Sequence, residues 1–89
     1  MYTVLMTNAV MRDMDRSIPE KNKTAIAEAI DKLAMNPYPM NVKKLKGVEN
    51  LRRIDVGEFR LLYSINNQNK TVTVVKVGDR KDVYRFLKR

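Results

Sequence analysis

Three segments in the second half of the chain alternate apolar and polar side chains, and they restrict the fold more than any other feature of the sequence. They are LRRIDV at 51–56, EFRLLYSI at 58–65 and TVTVVKV at 71–77. Alternation with a period of two is the pattern of a half-buried β-strand. Gly57 and the polar turn NNQNK leave only short connections between the segments. The pattern therefore predicts an antiparallel meander of three strands.

The start of the chain predicts a strand and a short helix. MYTVLMT alternates like a strand with one buried face. Thr7 or Asn8 is placed to cap a helix that follows directly. We expect this helix to turn Val10, Met11 and Met14 toward the core.

A second helix is the clearest local signal. Ser17 is a candidate N-cap, Glu20 follows at capping-box spacing, and Pro19 is tolerated in the first turn. Asn36 and Pro37 end the helical pattern. Its apolar positions recur at helical spacing: Ala25, Ile26, Ala29, Ile30, Leu33 and Ala34.

The remaining segments complete a single α+β domain over residues 1–89. NPYPMNVKKLKGVEN at 36–50 has no period and predicts a loop. Gly78 is expected to break the last strand, and Asp79 to cap a basic helix at 80–88. The predicted order is an N-terminal strand, a helical hairpin, the three-strand meander and a short C-terminal helix. The hairpin should cover one face of the sheet.

Composition excludes several classes of protein. The sequence has no cysteine and no histidine, so it predicts neither disulfides nor thiolate metal sites nor imidazole catalysis. No apolar run approaches the roughly 20 residues of a membrane-spanning helix, and no signal peptide is visible. We expect a cytoplasmic protein without a metal, a cofactor or a membrane partner.

Positive charge is concentrated in one half of the chain. The net charge is +8, and residues 43–89 carry all of the excess because residues 1–42 are balanced. A basic face suits a polyanion such as RNA, DNA, an acidic membrane or an acidic protein. The alternative is a solvated surface whose charge only maintains solubility.

Strand alternation assigns the arginines to a common face. If Ile54 and Val56 point into the core, Arg53 and Asp55 point away from it. The apolar row Phe59, Leu61, Tyr63 and Ile65 likewise turns Arg60, Leu62 and Ser64 to that opposite face. The fork of an arginine suits phosphate, although a lone strand arginine is more often surface packing.

The final helix is expected to overhang the same face. Arg80 and Tyr84 are one turn apart, so they are neighbours on one side of it. Together with Arg53 and Arg60, they would surround one concavity. Like charges gathered in this way cost energy unless an anion neutralises them.

With these residues in place, the sequence resembles the RelE/ParE toxin superfamily, and within it the RelE branch of ribosome-dependent mRNA interferases. The resemblance covers nearly the whole chain. It is carried by the order and spacing of NPYPMNVKKLKG, LRRIDVGEFRLLYSI and VVKVGDRKDVYR. It implies a microbial ribonuclease-like RelE fold and metal-independent cleavage of mRNA, in which a ribose 2′-OH attacks the adjacent phosphate.

The resemblance also implies roles for individual residues. Arg53 matches a catalytic basic residue and Arg60 an arginine that stabilises the transition state. Arg80 matches an arginine near the leaving group, and Tyr84 a functional tyrosine. Asp55 departs from the family, where relatives can have a second basic residue, and Asp79 occupies a place where many relatives carry histidine.

The identity of the general base stays open at this point. Arginine remains protonated in proteins, so Arg53 is a poor base. Tyr84 ranks first and Asp55 second, and lysines from the preceding loop are further candidates. The residues expected to contact ribosomal or messenger RNA are Lys43, Lys44, Lys46, Arg52, Lys81 and Arg85.

Two other functions and one partner follow from the same reading. A ParE-like inhibitor of DNA gyrase that cleaves nothing is the main alternative, and a catalytically inactive nucleic-acid-binding domain is the third. Either toxin implies a small antitoxin encoded alongside it, with an acidic or amphipathic segment.

Six methionines lie in the first forty residues. Most are expected in the core, although a methionine-lined groove would also accept a partner helix.

Overall fold

The chain has three helices and a five-stranded sheet in a computed structural model that describes residues 1–45 and 50–88. The elements are β1 (Thr3–Met6), α1 (Asn8–Arg16), α2 (Glu20–Met35), β2 (Lys43–Lys44), β3 (Arg52–Val56), β4 (Phe59–Asn66), β5 (Thr71–Asp79) and α3 (Arg80–Leu87). This order confirms the α+β fold predicted from the sequence. The structure contains a strand that the sequence did not predict: β2, which has two residues and lies inside the segment predicted as a loop.

The sheet combines the predicted meander with two edge strands, in the order β1-β5-β4-β3-β2. β3, β4 and β5 are antiparallel neighbours, as predicted. β1 runs parallel to β5, with Val4 opposite Val72. β2 is antiparallel to β3, with Lys43 opposite Arg53 and Lys44 opposite Arg52.

The main core lies between the sheet and the helices α1 and α2. Its buried side chains are Val10, Ile18, Ile26, Ile30, Leu33, Ile54, Leu61, Tyr63, Val72, Val74 and Val77. The Tyr63 hydroxyl donates a hydrogen bond of 2.8 Å to the Pro37 carbonyl, which ties the segment after α2 to the sheet. Burial raises the pKa of Tyr63 to about 12, although the nearby Arg52 charge acts in the opposite direction.

The two faces of the sheet are divided as the alternation predicts. Ile54, Leu61 and Tyr63 are buried against the helices, so Arg53 and Arg60 lie on the opposite face. Leu62 shares this opposite face yet is fully buried, and the equally buried Val83 of α3 also lies outside the main core cluster. α3 therefore packs on the face opposite α1 and α2.

The ends of the helices agree only in part with the sequence signals. Thr7 Oγ1 accepts a 3.2 Å hydrogen bond from the Val10 N–H, which confirms Thr7 as the cap of α1. The prediction of a capping box at Ser17 is wrong, because α2 begins at Glu20 without a side-chain cap. The Ser17 and Ile18 N–H groups instead donate to the Asp13 carbonyl at 2.8 and 3.1 Å. Ser17 therefore ends α1 rather than starting α2.

The expectation that most methionines are core residues is wrong. Met11 is 52% exposed instead of pointing inward, and Met14 is the one methionine that packs partly buried against the core. The other methionines are also exposed: Met1, Met6, Met35 and Met40. Ala25, expected among the inward positions of α2, is exposed as well. α1 packs against β5, and Met11 lines a groove between α1 and α2 together with Met6 and Met14.

Gly78 does not break the last strand, contrary to the prediction. β5 continues through Gly78 to Asp79, and α3 begins at the next residue. Asp79 caps this helix as predicted, because its Oδ1 accepts a 2.9 Å hydrogen bond from the Asp82 N–H.

No helix within the described ranges 1–45 and 50–88 is long and apolar enough to cross a membrane.

Candidate active site

A cavity of about 480 Å³ opens between α3 and the face of the sheet that α1 and α2 leave uncovered. Its lining residues are Arg53, Arg60, Arg80, Lys81, Val83, Tyr84 and Leu87. The structure thus brings together the three arginines and the tyrosine that the sequence placed around one concavity. They come from two adjacent strands and from the helix that follows β5 directly.

Backbone geometry explains how these side chains meet. Arg53 lies opposite Leu62 and Asp55 opposite Arg60 in the β3–β4 register, so all four side chains share one face. Arg80 and Tyr84 project from one side of α3 because they are one helical turn apart. The cavity is therefore formed by fixed secondary structure, which holds its side chains more firmly than a loop would.

Gly78 allows α3 to lie close to the sheet. Gly78 is directly opposite Arg60 in the β4–β5 register. A Cβ atom at this position would come within 2.9 Å of Asp82 Cβ, closer than two such carbon atoms approach without a shift. The absence of a side chain at Gly78 therefore sets the distance between the first turn of α3 and the arginines of the sheet.

The charged groups of the cavity differ in exposure. Arg53 and Arg60 retain only 18% and 24% of their side-chain exposure, whereas Arg80 and Tyr84 are exposed. Asp55 pairs with both strand arginines: its Oδ1 lies 3.3 Å from Arg53 Nε and 3.6 Å from Arg60 Nε. Arg53 Nε is fully buried and forms no hydrogen bond with good geometry to any described residue.

The residues predicted to contact RNA do not all lie at this cavity. Lys81 lines it, and Lys43 shares its face of the sheet because Lys43 is opposite Arg53. Lys44 and Arg52 are opposite each other on the other face. Arg52 lies over the Tyr38 ring, 4.9 Å from its centroid.

The two remaining candidates are outside the cavity or outside the described structure. Arg85 is exposed on α3 and lies 3.9 Å from Asp82 Oδ1 through its Nη1. Lys46 falls outside the described residues.

Sequence reasoning missed the apolar part of the site. Val83 and Leu87 of α3 line the cavity beside the basic groups. Their spacing of four residues, next to Arg80 and Tyr84, was the signal that would have found them. These side chains give the cavity an apolar wall beside its basic groups.

A comparison with known protein families gives a match over residues 4–84 to the model described as the ParE toxin of type II toxin–antitoxin systems, parDE. The chain belongs to this family. Among curated members of similar sequence, toxin RelG of Mycobacterium tuberculosis is 31% identical over 87 residues, which cover 94% of this chain and 97% of that protein. Toxin RelE3 of Methanocaldococcus jannaschii is 28% identical over 86 residues, which cover 93% and 96% of the two chains.

Solved structures of toxins in the family share the fold. The archaeal RelE–RelB complex from Pyrococcus horikoshii contains a chain with a TM-score of 0.77 and 28% identity, covering 89% of this chain and 94% of its own. The match confirms both the RelE fold and the resemblance that the sequence motifs carried. The chain is therefore a RelE-like toxin of a type II toxin–antitoxin system.

Proposed function

We propose that this toxin is a ribosome-dependent endoribonuclease that cleaves messenger RNA at the cavity between α3 and the sheet. One observation carries the proposal: Arg53, Arg60, Arg80 and Tyr84, from three separate elements, line the same cavity. A toxin that only bound a partner would not need three guanidiniums and a phenol directed into one hollow. We place the enzyme in the cytoplasm, where translating ribosomes are.

The arginines supply what the reaction needs at phosphorus. Attack on a phosphodiester builds negative charge on the phosphoryl oxygens, and guanidiniums fixed in advance stabilise that charge. Arg53 and Arg60 are largely buried in the wall of the cavity, so their positions are restricted before substrate binds. We assign the phosphoryl oxygens to these two arginines.

Tyr84 and Arg80 are assigned to the two oxygens that exchange at phosphorus. The Tyr84 hydroxyl oxygen accepts the proton of the 2′-hydroxyl as the bond from O2′ to phosphorus forms, and the phenol passes its own proton to water. The bond from phosphorus to O5′ then breaks, and the 5′ oxygen leaves beside Arg80 and takes a proton from water. The products are a 2′,3′-cyclic phosphate and a free 5′-hydroxyl. No metal or cofactor takes part in this scheme.

The lysines on the same face are assigned to substrate binding. Lys81 at the cavity and Lys43 beside Arg53 face the path of the RNA strand. Contacts of this kind position a nucleic acid through its phosphates without reading its sequence. Lys44, Arg52 and Arg85 point elsewhere and would contact ribosomal RNA around the decoding site.

The test is a translation reaction with primer extension along the message. The proposal expects new 5′-hydroxyl ends within codons, and it expects cleavage to require ribosomes. The control is Arg12→Ala, which removes an exposed arginine of α1 far from the cavity. An intact message in the presence of active, folded toxin would contradict the proposal.

One observation favours a second candidate function. The matching family model carries the ParE name, and a ParE-like protein would inhibit DNA gyrase without cleaving RNA. A gyrase supercoiling assay run beside the translation reaction separates the two. Blocked supercoiling with an intact message would establish the second function.

We also propose an antitoxin partner that binds the groove between α1 and α2. The groove has a volume of about 250 Å³, and its lining residues are Met6, Met11, Met14, Ala27, Ile30 and Asp31. Flexible methionines suit a surface that accepts the apolar side of a partner helix. The P. horikoshii relative and a second relative, RelBE2 of M. tuberculosis, were solved as toxin–antitoxin complexes. A purification from the native host that yields no small partner would argue against this proposal.

A further inference from the structure

Asp55 lies between the two arginines that form the sheet side of the cavity. It is directly opposite Arg60 across β3 and β4, and two residues after Arg53 on the same face. Its Oδ1 is 3.3 Å from Arg53 Nε and 3.6 Å from Arg60 Nε. One carboxylate oxygen is thus shared by two guanidiniums.

The orientation of the contact matters as much as its length. Both arginines approach Asp55 through Nε, the edge of the guanidinium nearest the backbone. Both also line the cavity, whereas Asp55 is not one of its lining residues. The carboxylate therefore holds each guanidinium from the side, and the other edges are available to an anion in the cavity.

Without Asp55 the arrangement would be costly. Two cations held close together repel each other, and the repulsion is stronger in a partly buried site than in water. Arg53 Nε is buried from water, so the shared carboxylate is the anion that faces it. Loss of the carboxylate would remove the negative charge that offsets the two guanidiniums and would favour other rotamers for both side chains.

We infer that Asp55 is a positioning residue, which sets the spacing and orientation of Arg53 and Arg60 for the scissile phosphate. The inference rests on the proposed function and narrows the choice of general base. Asp55 does not line the cavity whereas Tyr84 does, so Tyr84 is better placed to meet a ribose hydroxyl.

A positioning role for Asp55 and a role in which its charge only weakens RNA binding predict different kinetics. Removal of a negative charge strengthens the attraction of the site for RNA, so KM should stay constant or fall. Removal of the positioning contact misorients the arginines, so kcat should fall by about tenfold or more. A carboxylate that only weakened RNA binding would give a higher kcat/KM after its removal.

The test compares Asp55→Asn and Asp55→Glu with the wild type and with Asp15→Asn. Asp15 is exposed on α1, and its carboxylate forms no ion pair within the described part of the chain, so this control makes the same change in net charge. Two readouts are measured for each protein: single-turnover cleavage on programmed ribosomes, and exchange of the arginine Nε–H protons with water by NMR. Signals are assigned with Arg53→Lys and Arg60→Lys.

We expect Asp55→Asn to accelerate exchange at both arginines by about tenfold while kcat falls and KM does not rise. Asp55→Glu should restore part of kcat, and Asp15→Asn should match the wild type. Unchanged exchange in Asp55→Asn, or cleavage as fast as that of the wild type, would overturn the inference. If the wild type cleaves no message, the proposed function fails, yet the exchange measurement still decides whether Asp55 holds the two arginines.

Discussion

Gly78 in β5 and Asp82 in the first turn of α3 are so close that a methyl group on Gly78 would lie 2.9 Å from Asp82 Cβ. The distance between α3 and the sheet depends on this contact. Arg80 and Tyr84 are carried by α3, whereas Arg53 and Arg60 are carried by the sheet. A substitution at Gly78 therefore changes the geometry of the cavity without removing any of its functional groups.

We expect Gly78→Ala to displace α3, to cost about 1–3 kcal/mol of unfolding free energy and to slow cleavage at least tenfold. Urea unfolding and single-turnover cleavage measure the two effects. Gly57→Ala is the matched control, because Gly57 has a φ of +60° but no atom within 4 Å of an added Cβ. It should cost about 1 kcal/mol through its backbone alone and leave the cleavage rate of the folded protein unchanged. Equal effects of the two substitutions on cleavage would argue against this explanation.

Arg80→Ala should reduce cleavage by about 100-fold or more, because the proposed function places this cation beside the leaving oxygen. Arg80 is exposed at the start of α3, so the unfolding free energy should change by no more than about 0.5 kcal/mol. Cleavage by the folded variant is the measurement, with Arg12→Ala as the control. Near-normal cleavage by Arg80→Ala would remove this residue from the mechanism.

Tyr84→Phe should slow cleavage by about 100-fold if the phenol accepts the 2′-hydroxyl proton. A ring that only stacked on a base would tolerate the change, because phenylalanine stacks equally well. Tyr38→Phe is the control, since Tyr38 is also exposed but lies against Arg52 on the other face of the sheet. A rate close to that of the wild type in Tyr84→Phe would assign the base to another group.

Tyr63→Phe should destabilise the fold by about 1–2 kcal/mol at neutral pH, because the Pro37 carbonyl loses its buried donor. Burial raises the pKa of Tyr63 from 10.0 to about 12, so the folded state holds the phenolic proton more tightly than the unfolded chain does. The associated stability is complete below pH 10 and is lost as pH rises toward 12. Urea unfolding between pH 8 and about pH 11.5 should therefore show the wild type losing its advantage over Tyr63→Phe. A difference that is independent of pH would contradict the prediction.

Met11→Lys should weaken antitoxin binding by about tenfold, because it places a charge in the apolar groove between α1 and α2. Met11 is 52% exposed, so the fold and the cleavage activity should be unaffected. Isothermal titration with the purified antitoxin measures the change. Met40→Lys is the control, since Met40 is fully exposed and does not line the groove. Unchanged affinity in Met11→Lys would place the partner on another surface.

The sequence predicted the parts of the fold that depend on local periodicity. Alternation along 51–77 was sufficient to predict the meander and to assign Arg53 and Arg60 to one face. Two caps, Thr7 and Asp79, were also predictable, because each signal involves residues within one helical turn. These features need no knowledge of distant contacts.

Predictions that depended on tertiary contacts were incomplete or wrong. The parallel pairing of β1 with β5 joins segments about seventy residues apart, and no local pattern specifies it. Ser17 has the sequence context of an N-cap, yet in the structure it is the C-terminal cap of α1, and its N–H donates to the Asp13 carbonyl. Met11 fits an inward helical position, but it lines the open groove between α1 and α2 instead of packing into the core. Gly78 was interpreted from its backbone flexibility, whereas its importance lies in the space it leaves for Asp82.

Neighbouring residues of β3 and β4 face opposite sides of the sheet, so different requirements act on them. Ile54 and Leu61 face the core, whereas Arg53, Asp55 and Arg60 lie on the opposite face. Under the proposed function, folding constrains the first pair and the RNA substrate constrains the other three, one residue away in the chain. A lineage of such toxins would then be able to change these three residues while its scaffold persists.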